Sequence, residues 1–363
     1  MSALFEPITL RSLTIPNRVW LSPMCMYCAA ADGPDQGVAT DFHLAHLGAR
    51  AAGGAGLVMV EATGIRPDGR ITPYDLGLWN DRQQAGLARI AALIRRHGSV
   101  PAIQLGHAGR KASSRRPTDG SGPLAPADGG WPTVGASPVA FGDHPAPAEL
   151  TVEQIALLVA DFAAAAARAA AAGFRAVEIH GAHGYLVHSF LSPHSNHRTD
   201  GYGGSFAGRS RFAREVAAAV RAVWPDDLPV FFRVSASDWL EAGSGWTPEE
   251  TVLLAKELAA IGIDLVDVSS GGISPDARIA LGPGYQVPFA EQIRSGAGLP
   301  VSAVGLITEP AQAEEVVASG RADAVMMGRE LLRDPYWPLH AARGLGAERR
   351  WPQEFAYAVG PRG

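Results

Sequence analysis

The chain has 363 residues, of which 47% are hydrophobic and 18% charged, with a formal net charge of −5 at pH 7. That length fits one large α/β barrel as well as two average domains, and the apolar content suffices for a sizeable core. The acidic balance leaves no cationic excess to neutralise a phosphate polymer or an anionic bilayer, which sets nucleic acid and membrane surfaces aside as partners.

In chain order, eight short runs are apolar at nearly every position. They are NRVWLSP from Asn17, GLVMVEA from Gly56, VPAIQLGH from Val100, AVEIH from Ala176, PVFFRVS from Pro229, DLVDVSS from Asp264, LPVSAVG from Leu299 and DAVMMGR from Asp323. Strands buried on both faces of a parallel sheet have this character. Helical patterns separate them. Thr151 with Gln154 predicts a capping box, followed by Ile155, Leu158 and Phe162 at helical spacing and closed by Gly173. Thr247, Pro248 and Glu250 open a further helix that ends before Gly262, and Thr308 is expected to start another that ends at Gly320. Eight such units predict a single (β/α)8 TIM barrel spanning 1–363. A doubly wound sheet would want G-x-G-x-x-G after the first strand, where SPMCMY stands instead.

One stretch breaks the rhythm. From Pro117 to Pro147, within a lid of about 114–147, the chain is rich in Pro, Gly, Ala and Asp without helical period, which predicts an insertion over the barrel mouth after strand three. Asp161 and Arg168 interrupt the longest apolar run, and residues 1–10 lack a signal-peptide core, so a cytoplasmic protein is expected. Cys25 and Cys28 alone can neither build a disulfide framework nor hold an iron–sulfur cluster, which takes about four thiolates.

Active sites of such barrels lie at the C-terminal strand ends, and here those ends are polar. Glycines 305 and 328 with Arg329 follow strands seven and eight, where small residues let backbone N–H groups reach a phosphate; their alternative reading is simple chain turning. His180, His183 and Tyr185 in HGAHGY end strand four and could grip a carbonyl oxygen and deliver a phenolic proton. The same histidines could chelate a metal, although no third ligand is evident and strand one ends in Pro-Met-Cys, or they could be structural. Arg233 on strand five needs an anion or an electron-rich ring, or else an ion pair with a strand carboxylate such as Glu178.

These segments together resemble the Old Yellow Enzyme family of FMN-dependent ene-reductases, most closely its thermophilic-like branch with Cys in the first-strand loop. The resemblance runs from LFEPITL and NRVWLSPMCMY through EATGIRPDGRIT, QLGHAGRKAS, HGAHGYLVHSFLSPHSNHRTDGYGGS, RVSASDW, GPGYQVPFAE and AVGLIT to GRADAVMMGRELLRDPYWP, nearly the whole chain. It implies FMN at the barrel mouth, lined by Ser22, Pro23, Met24, Cys25, Ala62, Gln104 and Arg233, with its phosphate at Gly305, Gly328 and Arg329. It implies NADPH or NADH as hydride donor, and small enones and related activated alkenes as substrates. By the same resemblance His180 and His183 hold the substrate oxygen, Tyr185 is the proton donor, Cys25 tunes the flavin, and Tyr27 and Lys111 line the substrate pocket. A homodimer or homotetramer is implied, with Arg362 in the tail, about 350–363, reaching a neighbouring subunit's site. Two positions depart from many relatives: Met26 between Cys and Tyr, and Gly208 in SFAGRSRF. Cys28 matches no functional position of the family, and its reversible pairing with Cys25 is left open.

Overall fold

The computed structural model of the chain describes residues 2–348 and 351–359. Eight parallel strands close into a barrel in sequence order: β1 (Val19–Leu21), β2 (Leu57–Gly64), β3 (Val100–Gly106), β4 (Ala176–Gly181), β5 (Val230–Ser235), β6 (Leu265–Ser269), β7 (Val301–Ala303) and β8 (Ala324–Met327). An antiparallel hairpin, Ile8–Leu10 with Leu13–Ile15, precedes them. Every described residue of β1, β3, β4, β5, β6, β7 and β8 is buried, which accounts for their uniformly apolar reading in sequence.

Helices cover the outside: α1 (Asp41–Ala52), α2 (Asp81–Arg96), α3 (Val152–Ala171), α4 (Arg211–Val223), α5 (Pro248–Ile261), α6 (Val287–Ala297) and α7 (Pro310–Ala318). The predicted capping boxes are present at α3, where Thr151 accepts from the Gln154 N–H, and at α5, where Thr247 accepts from that of Glu250. The expected start at Thr308 is corrected: Glu309 occupies the N-cap of α7, and Pro310, with its fixed φ, is the first helical residue. By length and composition α3 is apolar enough to cross a membrane, with Asp161 and Arg168 inside it. In the fold it lies against the barrel and buries Ile155, Leu158, Phe162, Ala165 and Ala169.

Inside the barrel the lower packing is aromatic and aliphatic, with Trp20 stacked on Phe231 at 5.9 Å between ring centroids. Above it lies a polar layer. Strand register sets Gln104 beside Glu178, Arg233 beside Asp267, and Asp267 beside Ser302.

Between β3 and α3 the long insertion forms two short turns, Pro117–Asp119 and Pro126–Asp128, and a two-stranded sheet of Val134–Gly135 with Ala148–Glu149. It is pinned to the barrel end. The Trp131 indole N–H donates to the Asp68 carbonyl at 3.0 Å, and buried Arg110 donates to the carbonyls of Val139, Ala140 and Ile273.

Candidate active site

The polar layer forms the floor of the mouth. Arg233 Nε meets Asp267 Oδ2 at 2.9 Å, and Ser302 donates to Asp267 Oδ1 at 2.8 Å. The alternative offered for Arg233, an ion pair with a strand carboxylate such as Glu178, is met by Asp267 instead, because the β5–β6 register places Asp267 directly opposite the arginine. Glu178 instead accepts from Gln104 Nε2 at 2.7 Å. Burial, with the neighbouring Asp267 charge, pushes the Glu178 carboxyl up to about 8. Arg233 thus pairs directly with Asp267, while Glu178 feels its charge without contacting it.

The loop leaving β1 carries Ser22 to Tyr27 across the same end. Ser22 is buried, while Pro23, Met24, Cys25, Met26 and Tyr27 are half-buried, and Tyr27 takes a left-handed φ of 56°. Burial, aided by the charges of Asp75 and Glu61, raises the Cys25 thiol well above its usual range, against a hydrogen bond from the Ala62 backbone. Glu61 is itself raised by burial while accepting the Met26 and Tyr27 N–H groups, so the same carboxyl shapes the loop and protects the thiol's proton. Cys28 donates to the Met26 carbonyl at 3.2 Å.

Strand four ends in the cluster the sequence singled out. The rings of His180 and His183 lie 5.2 Å apart at 86°, and those of His180 and Tyr185 5.0 Å apart at 79°. The chain doubles back tightly to bring them together. His183 has φ 60°, and a Cβ on Gly184 would fall 2.1 Å from the Gly272 oxygen, so only glycine lets the β4 and β6 loops touch here. Lys111 clamps that contact, its Nζ donating to the His183 carbonyl at 2.9 Å and to that of Gly272 at 3.1 Å. Burial, then the Arg110 charge, lowers its ammonium to about 8. Phe141 of the insertion lies 4.2 Å from the same Nζ, which puts the insertion beside the cluster. Burial also lowers both histidines well below 6.5 and raises Tyr185 well above 10, so all three are neutral at pH 7. Among the described residues no group of three His, Cys, Asp or Glu side chains is placed to hold a metal ion.

From Arg233 a cavity of about 240 Å³ runs outward past Ser269 and Val304 to Gly305, Gly328, Arg329 and Arg333. Gly305 has φ 122°, and a Cβ there would press on Tyr285 and Gln286 at 3.0 Å. Arg329 is exposed and makes no ion pair among the described residues. A bare glycine rim, an unpaired guanidinium and a fixed cation at the floor match the needs of a polar ring system with an anionic tail, so these residues fit FMN.

The structure thus gathers Ser22 to Cys25, Tyr27, Ala62, Gln104, Lys111, His180, His183, Tyr185, Arg233, Gly305, Gly328 and Arg329 around one end of the barrel. Arg362 lies outside the described residues. Sequence reasoning did not single out Asp75, Asp267 or Arg333. Asp267 carried a signal, a carboxylate inside an otherwise apolar strand; Asp75 and Arg333 carried none.

The model of the NADH:flavin oxidoreductase / NADH oxidase family matches residues 3–348. The NADPH dehydrogenase of Geobacillus thermodenitrificans is 48% identical over 356 residues, 98% of each chain, and that of Listeria innocua 46% over 359 residues, 99% of each. Among solved structures, morphinone reductase matches with TM-score 0.77 at 31% identity, covering 97% of this chain and 92% of that one. The old yellow enzyme homologue from Zymomonas mobilis matches with TM-score 0.77 at 26% identity, covering 99% and 97%. The chain therefore belongs to the NADH:flavin oxidoreductase / NADH oxidase family, that of the Old Yellow Enzymes, and is an FMN-dependent oxidoreductase that draws its reducing equivalents from NAD(P)H.

Proposed function

We propose that this enzyme reduces carbon–carbon double bonds conjugated to a carbonyl, in small enones and related activated alkenes. The observation that carries the reading is the convergence of His180, His183 and Tyr185, all neutral, at 5.0–5.2 Å between rings beside the cavity.

The FMN that these residues fit would supply hydride chemistry linking NAD(P)H to the substrate β-carbon. Along it, Ser22, Pro23, Met24, Cys25, Ala62 and Gln104 would line the ring, Arg233 would place positive charge beside it, and Gly305, Gly328 and Arg329 would hold the phosphate. Negative charge moves onto the substrate oxygen as hydride arrives at the β-carbon. Imidazole N–H donors at His180 and His183 would bond that oxygen most strongly in the transition state, which is where such donors accelerate a reaction. Tyr185, kept protonated by burial, would give its phenolic proton to the α-carbon and recover one from solvent. Tyr27 would bound the substrate pocket. Lys111, whose ammonium is already engaged by two carbonyls, would support the pocket through the loops it joins.

The thiols of Cys25 and Cys28 are unpaired, which suits the reducing cytoplasm we propose for the protein. We assign it a homodimer or homotetramer; exposed Phe355 and Tyr357 near the chain end favour a contact there. Steady-state turnover of a panel of enones with NADPH and with NADH tests the reading. Turnover with parallel double-reciprocal plots is expected, since donor and alkene would use the pocket in turn. FMN binding with no alkene-dependent oxidation of either nicotinamide would contradict it.

A further inference from the structure

The two histidines at the mouth have opposite hydrogen-bond surroundings. At His180 the Ala182 backbone N–H donates to Nδ1 at 3.3 Å, so a neutral ring carries its proton on Nε2. At His183 the bonded nitrogen is Nε2, 2.7 Å from Ser269 Oγ, and the direction of that bond decides which nitrogen is left as a donor.

The neighbours of Ser269 settle the direction. Its hydroxyl has one other acceptor in reach among the described residues, Gln286 Oε1 at 3.4 Å. That oxygen already accepts from Ser270 at 2.6 Å, and the Gln286 amide is turned so that Nε2 donates to the Val304 carbonyl at 3.1 Å. A hydroxyl hydrogen placed along the 2.7 Å contact makes a full hydrogen bond, whereas one stretched over 3.4 Å to an engaged oxygen does not. The backbone beneath the ring is held as well, since the His183 backbone N–H donates to Ser235 Oγ at 2.9 Å and Ser235 donates in turn to the Gly271 carbonyl at 2.8 Å.

We infer that Ser269 donates to His183 Nε2 and so fixes the His183 proton on Nδ1, leaving His180 and His183 to offer one N–H each from opposite ring nitrogens. Ser269 is thus a positioning residue that acts through His183. With its proton on Nε2, His183 would present a lone pair at Nδ1 and repel the substrate oxygen it is meant to hold. The consequence for catalysis rests on the enone reading above; the tautomer itself does not.

Long-range proton–nitrogen correlation spectra of the FMN-loaded enzyme, labelled with 15N-histidine, test the inference, with His183 assigned by comparison with His183→Gln. The wild type is expected to show a protonated Nδ1 and an unprotonated Nε2 at His183, and the reverse at His180. Ser269→Ala should shift the His183 proton to Nε2, leave His180 unchanged, and lower kcat/KM for 2-cyclohexen-1-one by about ten- to a hundredfold, the usual effect of losing one donor to a developing oxyanion. Ser269→Thr, which keeps the hydroxyl, should restore the tautomer and the turnover. A wild-type His183 protonated on Nε2, or a tautomer unmoved by Ser269→Ala, overturns the inference. A tautomer that moves as expected while turnover stays constant upholds the role of Ser269 and contradicts the enone reading instead.

Discussion

Gln104 donates through Nε2 to Glu178 Oε1 at 2.7 Å, and this single bond fixes which way the Gln104 amide faces at the floor of the site. The carboxyl that receives it is held near 8 by burial and by Asp267. Between its ordinary value, about 4.3, and about 8, the folded chain keeps a proton that the unfolded chain has released, so rising pH favours unfolding. Glu178→Gln keeps an acceptor for Gln104 and removes the titration. Thermal melts from pH 5 to 8 should therefore show the variant gaining on the wild type as pH rises, each unit of the shift being worth about 1.4 kcal/mol. A melting-temperature difference that is constant over this window would mean that Glu178 is ionised throughout.

Cys25 is predicted to be a slow thiol. Burial and the charges of Asp75 and Glu61 keep it protonated, and only the thiolate reacts quickly with electrophiles or disulfides. With iodoacetamide at pH 7.5, peptide mapping by mass spectrometry should find Cys28 alkylated before Cys25, and Cys25 alkylated faster in Asp75→Asn. Earlier modification of Cys25 would contradict the placement of the carboxyls around it.

Gly184→Ala should damage the site more than its size suggests. The added Cβ would fall 2.1 Å from the Gly272 oxygen at a φ of 74°, so the β4 and β6 loops must separate and the Lys111 bridge must stretch. A loss of at least about 2 kcal/mol of stability is expected for such a contact in denaturant titration, with enone turnover reduced even where FMN stays bound. A variant of wild-type stability and turnover would show that the two loops need not touch.

The barrel was legible because strands buried on both faces read as uniform apolar runs, and because Thr151 with Gln154 and Thr247 with Glu250 spell their caps locally. His180, His183 and Tyr185 were legible for a related reason: they share one strand end and one loop, so short-range spacing keeps them together. The partner of Arg233 was not. Choosing Asp267 over Glu178 requires the strand register, which pairs Arg233 with Asp267 across β5 and β6 and is set by the closure of the whole barrel. Asp75, Arg333 and the Ser269 bond to His183 were hidden in the same way, since each depends on loops that meet only after the strands have closed.

The most direct test follows the flavin itself. Enzyme reduced anaerobically with NADPH is mixed with 2-cyclohexen-1-one in a stopped-flow cell, and reoxidation is read from the visible absorbance for the wild type and Tyr185→Phe. The wild type should be reoxidised by the enone without oxygen, and the phenylalanine variant should be reduced by NADPH normally yet reoxidised about a hundredfold more slowly, the usual contribution of a positioned general acid. Reduced wild-type enzyme that the enone leaves reduced, or equal reoxidation of the two proteins, would contradict the assignment of this mouth to enone reduction with Tyr185 as its acid.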